Sequence, residues 1–115
     1  MITRGTTSYK SFVVPYTTDM ISIAYITYLQ NNKVVVEKSI EDITIEDISD
    51  SSSQLTIYLT QEDTLKFNFY PAAEKNIAVG QVRILTNEEE AYASEPTKER
   101  IFGVLKEGII SNNSN

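Results

Sequence analysis

Val79 to Ser94 reads VGQVRILTNEEEAYAS. The stretch predicts a β-hairpin: a strand over Val79–Leu85, a polar turn at Thr86–Glu90, and a return strand from Ala91. With strand patterns on either side of it, this hairpin reads as the centre of a small acidic all-β domain.

The totals set the limits. A chain of 115 residues has the length of one domain. It can bury roughly two-thirds of its extended-chain surface, enough for one core without cross-links. Apolar residues make up 41% and charged residues 23%, a globular composition. No apolar run approaches the roughly 18 residues of a membrane span. MITRGTTSYK at the N-terminus lacks the apolar core of a signal peptide, so export by its own signal is not expected. The chain has no cysteine and no histidine. Disulfides, zinc thiolate sites, cysteine nucleophiles and a Ser-His-Asp triad are thereby excluded, and the commonest general base is missing. Lys plus Arg is 10 against 16 Asp plus Glu, a formal charge of −6. That balance argues against nucleic acid and anionic membrane surfaces, which need cations to displace counterions.

Outward from the hairpin, Met1–Thr7 is a polar lead-in, with a turn at Arg4-Gly5-Thr6-Thr7 where Gly5 is free to take positive φ. Tyr9–Val14 predicts a strand with Phe12 and Val14 on one side, stopped by Pro15. Ser22–Gln30 and Lys33–Ser39 predict a second hairpin around a two-residue Asn31-Asn32 turn, because Asn tolerates left-handed φ. In that register Leu29 faces Val34 and Tyr28 faces Val35. Of the two faces, Ala24, Ile26, Tyr28 and Val35 are assigned to the core, and Ile23, Tyr25, Leu29, Val34 and Val36 to the other side. Ile43 and Ile45 alternate with Thr44 and Glu46 as a short strand, and Asp47–Ser53 predicts a flexible loop. Leu55, Ile57 and Leu59 alternate with Thr56 and Tyr58. Thr60 caps a helical turn over the following acids, with Leu65 and Phe67 dropped into the core. Asn68–Asn76 is a loop around Pro71. Pro96 interrupts the return strand, and a last strand runs from Thr97 to about Leu105, ending near Gly103.

Turns at this spacing predict an Ig-like antiparallel β-sandwich of about seven strands with one short helical turn; a small barrel is the alternative. Residues 1–110 form the predicted domain and 111–115 a flexible tail.

Candidate sites are few. Glu41, Asp42, Glu46, Asp47 and Asp50 could offer oxygens to Ca²⁺, but they lack EF-hand spacing, and alternate strand residues diverge. A solvated edge and loop is the simpler reading. Glu88-Glu89-Glu90 sits on a turn tip and lacks the cleft that a carboxylate pair needs. The glycines are isolated, so there is no phosphate-binding loop. Asn112-Asn113-Ser114 matches a glycosylation sequon, which carries no meaning without a secretory signal. No catalytic, cofactor-binding or metal site is assigned. Tyr25, Tyr28, Tyr58, Tyr70 and Tyr92 could build a binding face, since tyrosine is enriched at interfaces but also common in strands. Tyr25, Tyr58 and Tyr92 are the candidate partner surface.

Three segments read together carry a resemblance: ITRGTT with Phe12 and Pro15 in Ile2–Pro15, LTQEDTLKF at Leu59–Phe67, and QVRILTNEEEAYAS at Gln81–Ser94. In their order, over nearly the full length, the chain resembles a family of small proteins encoded in prophages of Gram-positive gut bacteria. It is similar, more weakly, to the N-terminal β-domain of upper baseplate proteins from phages of Gram-positive hosts, which lies in the tail tip. The resemblance implies a non-enzymatic structural module of a phage or prophage particle, from the tail, baseplate or neck. Its partners would be other phage structural proteins or further copies of itself, with no cofactor, nucleic acid or membrane. It would reside in the host cytoplasm during assembly and then in the virion. The alternative is a binding module for a cell-surface glycan or host protein.

Overall fold

The computed structural model describes residues 1–71 and 76–112. The loop predicted around Pro71 and the end of the predicted tail lie partly outside that set. Nine strands are present: β1 (Ile2–Thr3), β2 (Ser8–Val14), β3 (Ile21–Gln30), β4 (Lys33–Ser39), β5 (Thr44–Ser49), β6 (Ser52–Leu59), β7 (Ile77–Thr86), β8 (Ala91–Ala93) and β9 (Thr97–Phe102). One α-helical turn, α1 (Gln61–Leu65), follows β6, and 3-10 turns occupy Thr18–Met20 and Ile40–Asp42.

The strands form two sheets. The larger runs β1-β9-β7-β3-β4, with β8 also on β7, and the smaller runs β2-β6-β5. Every pairing is antiparallel except β1 with β9. Strands two, six and five thus share one sheet while three, four, seven and nine share the other. This is the B-E-D and G-F-C-C′ division of an immunoglobulin-like sandwich, with an added edge strand on the larger sheet. The expected architecture is therefore present. Two of the nine strands, β1 and β8, have only two and three residues.

Period-two alternation builds the core between the sheets. Ala24, Ile26 and Tyr28 of β3, Ala78, Val82 and Ile84 of β7, and Leu55, Ile57 and Leu59 of β6 are buried together with Val14, Phe67 and Ile101. The organising hairpin forms as read: Arg83, Ile84 and Leu85 pair with Ala93, Tyr92 and Ala91. Its return strand breaks before Pro96 and resumes as β9. At the break the Val82 N–H donates to Ser94 Oγ at 3.0 Å, a side-chain substitute for a ladder bond. Asn31 and Asn32 both take positive φ, 53° and 63°, as a type I′ hairpin turn requires.

Several expectations are corrected. Tyr28 pairs with Val36, not Val35, because the register slips by a bulge between Tyr28 and Leu29. The extra residue moves Val36 into the core and leaves Val35 half-buried. The Asp47–Ser53 loop is mostly strand: Asp47 pairs with Ser53 and Ser49 with Ser52. In α1 the inward residues are Asp63 and Thr64, while Leu65 is only half-buried. Capping turns Asp63 inward, and Thr64 Oγ1 donates to Thr6 O at 2.8 Å while accepting from Gly5 N–H at 3.0 Å. The polar lead-in contains β1, whose Ile2 is fully buried. The last strand ends at Phe102.

Polar side chains fasten the small sheet and α1 to the large sheet. Lys10 of β2 lies on the inward side, level with Ile57, and reaches Glu99 of β9 at 3.1 Å. Lys38 of β4 reaches Asp63 of α1 at 2.8 Å. The same Asp63 oxygen accepts the Thr60 N–H at 2.9 Å, and Thr60 Oγ1 accepts the Asp63 N–H at 3.1 Å, a reciprocal capping box. Among the described residues no helix is long and apolar enough to cross a membrane.

Candidate docking surface

The outer face of the small sheet follows from the parity of β2. Phe12 and Val14 turn inward, so Tyr9, Ser11 and Val13 turn out. Tyr9 is paired directly with Tyr58 of β6. Their ring centroids lie 4.9 Å apart with planes tilted by 48°. Tyr9 is 72% exposed and Tyr58 42%, and Val13 on the same face is 59% exposed. Between them Ser11 Oγ and Thr56 Oγ1 share a hydrogen bond of 2.9 Å. The result is a small apolar and aromatic patch beside the outer side of β2.

Tyr25 lies on the other outer face. It is exposed on β3 beside Ile23, and with Arg83, Leu85 and Ala91 it lines a shallow, mainly apolar depression. Tyr25 and Tyr58 therefore point away from each other, one from each sheet. Tyr92 belongs to neither face. Paired with buried Ile84, it turns inward, packs against the core, and meets Tyr16 edge-on at 5.6 Å. Tyr16 in turn donates from its hydroxyl to Glu90 Oε1 at 2.8 Å. That bond to a carboxylate, with some burial and the carboxylate's charge, raises the Tyr16 pKa.

Tyr28 is fully buried, edge-on to Phe67 at 6.0 Å. Its hydroxyl donates to Glu99 Oε2 at 3.3 Å, and burial followed by the Glu99 charge pushes its pKa up. Tyr70 is exposed on the loop before Pro71. Tyr9 is the residue that the sequence reading leaves out of the candidate surface. The parity that places Phe12 and Val14 inward already turns Tyr9 outward, so the signal is in the strand pattern.

The acids do not converge. Among the described residues no group of three or more acidic side chains is arranged to hold a metal ion. Asp47 is already committed, accepting the Thr18 N–H at 2.6 Å and the Thr18 hydroxyl at 2.8 Å. Those bonds, the backbone one foremost, hold its carboxyl below the usual range. Glu89 sits at the hairpin turn with φ of 61°.

No family model matches the chain, and no curated protein matches it. Among solved structures it is similar to murine CRIg, over 89% of this chain and 88% of that one, with 6% identity and a TM-score of 0.38. At that score the likeness adds nothing to the strand pairing, which alone carries the architecture.

Proposed function

We propose that this chain is a non-enzymatic structural module of a phage or prophage particle, a tail, baseplate or neck component that acts by protein–protein docking. The phage context rests on the resemblance carried by Ile2–Pro15, Leu59–Phe67 and Gln81–Ser94. The observation that carries docking is the exposed Tyr9–Tyr58 pair with Val13 on one outer face. Aromatic rings offer a large contact area with little side-chain entropy to lose, and exposed clusters of them mark contact sites. The sandwich beneath is held rigid by its core and by the Lys10–Glu99 and Lys38–Asp63 pairs. The net charge of −6 keeps such a component soluble before assembly.

A glycan platform is less well supported, because sugar rings stack on coplanar aromatics and the two rings here are tilted by 48°. The test is mass spectrometry of purified particles from an induced lysogen. Stoichiometric presence is the expected result. Clean absence, with the protein abundant in the lysate, would overturn the particle reading.

A further inference from the structure

A strand edge with nothing beside it is a template for another strand, and folded proteins blunt such edges with charges, bulges or proline. Six strands here have an unpaired side among the described residues; β1 and β8, of two and three residues, are too short to serve as templates, and three of the other four are blunted. β4 carries Lys33, Glu37 and Lys38 and is bulged against β3. β5 carries Glu46 and Asp47 and has an irregular register. The open part of β9 holds Lys98, Glu99 and Arg100. The fourth, β2, has no bulge and no proline, and one inward charge is its only protection. It runs seven residues in unbroken register with β6, from Ser8 opposite Leu59 to Val14 opposite Ser53, and Pro15 follows only after its end. Its single charge, Lys10, is turned inward and paired with Glu99.

We infer that β2 is a docking edge for a second copy of this chain, paired antiparallel through β2 about a two-fold axis at Ser11. The inference rests on the docking reading and deepens it by naming the occupant. Charge decides which edge a second copy can use. Two chains of −6 each repel, so they can meet only on a surface without acids, and β2 contains none. Pairing two β5 strands would instead set acids against acids. Register supports the same choice. With Ser11 opposite Ser11 of the second copy, Tyr9 of each strand lies opposite Val13 of the other on the outer face. Lys10, already neutralised, lies opposite Phe12. Aromatic and β-branched residues are favourable cross-strand partners. The two small sheets then join into one continuous sheet with both Tyr9–Tyr58 pairs on the same side. One strand edge buries less than the about 1,200 Å² of a standard interface, so the dimer is weak and concentration-dependent.

Sedimentation equilibrium of the full chain, from micromolar to millimolar concentration, is the test. The wild type is expected to show a monomer–dimer equilibrium. The Y9K/V13K double variant, which sets like charges opposite each other twice, is expected to dimerise at least about tenfold more weakly. Mixing it with Y9E/V13E should restore dimers, since the charges then face in opposite pairs. Both positions are exposed, so thermal midpoints near wild type will show the variants folded. Should either variant misfold, Ser11→Cys in the otherwise native, cysteine-free chain decides. It should form a disulfide dimer much faster than Val34→Cys on the β4 edge, because facing strand residues lie within disulfide reach. A chain that stays monomeric throughout, a dimer indifferent to Y9K/V13K, mixing without restoration, or Ser11→Cys cross-linking no faster than Val34→Cys would each overturn the pairing. Those outcomes leave the docking reading standing if the protein is found in particles, whereas its absence from particles leaves the pairing standing if dimers form.

Discussion

Tyr28 of β3 and Gly80 of β7 are register partners, and the Tyr28 ring fills the place a Gly80 side chain would take. A Cβ at position 80 would lie 2.6 Å from Tyr28 Cε1 and 2.9 Å from Cζ. The ring is pinned on its other sides by Phe67 and Phe12, so it has little room to withdraw. Gly80→Ala is therefore expected to lower stability by about 1–3 kcal/mol, as overpacking does. Urea denaturation at neutral pH measures it. A loss below about half a kcal/mol would show that the ring can move aside.

Ser53 offers the opposite case. It is fully buried, and its hydroxyl is the one buried side-chain polar atom without a partner among the described residues. A desolvated hydroxyl with nothing to bond is unfavourable, and removing it relieves that cost. Ser53→Ala is expected to leave stability unchanged or to raise it by up to about 1 kcal/mol. A clear drop in thermal midpoint would show instead that the hydroxyl is satisfied in solution.

The Lys38–Asp63 pair makes stability depend on pH. Burial pushes the Asp63 carboxyl up, but hydrogen bonds from Lys38 and the Thr60 N–H, with the Lys38 charge, outweigh it and hold the group below its usual range. A depressed carboxylate stabilises fully above its unfolded value of about 3.9, and that contribution is lost as pH falls through the folded value. Glu99 acts in the same direction: burial raises its pKa, and bonds from the terminal amine and Lys10 lower it further. Asp63→Asn is expected to cost about 1–3 kcal/mol at pH 7, because it leaves Lys38 unpaired at a largely buried site. The gap between variant and wild type should narrow as pH drops below about 4. An equal gap at both pH values would assign the loss to packing rather than charge.

The hairpins were legible because alternation and turn chemistry are local. Val79–Ser94 and the Asn31-Asn32 turn needed no knowledge of the rest of the chain. The bulge at Tyr28–Leu29 was not legible, because a one-residue slip is set by how β4 closes on β3 and leaves no mark in composition. Ser and Asp made residues 47–53 look like a loop. Their backbone pairs all the same, because Ile45 opposite Leu55 anchors the ladder. Two residues of β1 are too few to show a period. For the surface, parity indicated which tyrosines turn outward, yet it could not say that Tyr25 and Tyr58 leave from different sheets. That depends on which strands pair, a long-range fact. Tyr92 was lost for the same reason, since its facing follows from Ile84 across the ladder.

The parallel pairing of β1 with β9 has a mechanical consequence. Ile2 lies against Ile101 and Thr3 against Phe102, and the Arg4 N–H reaches Phe102 O at 2.8 Å. Because the two strands run the same way, a pull on the start of β1 and the end of β9 slides one along the other. Their hydrogen bonds are then strained together rather than opened one by one. A pull applied to those two strands would load this clamp before the core.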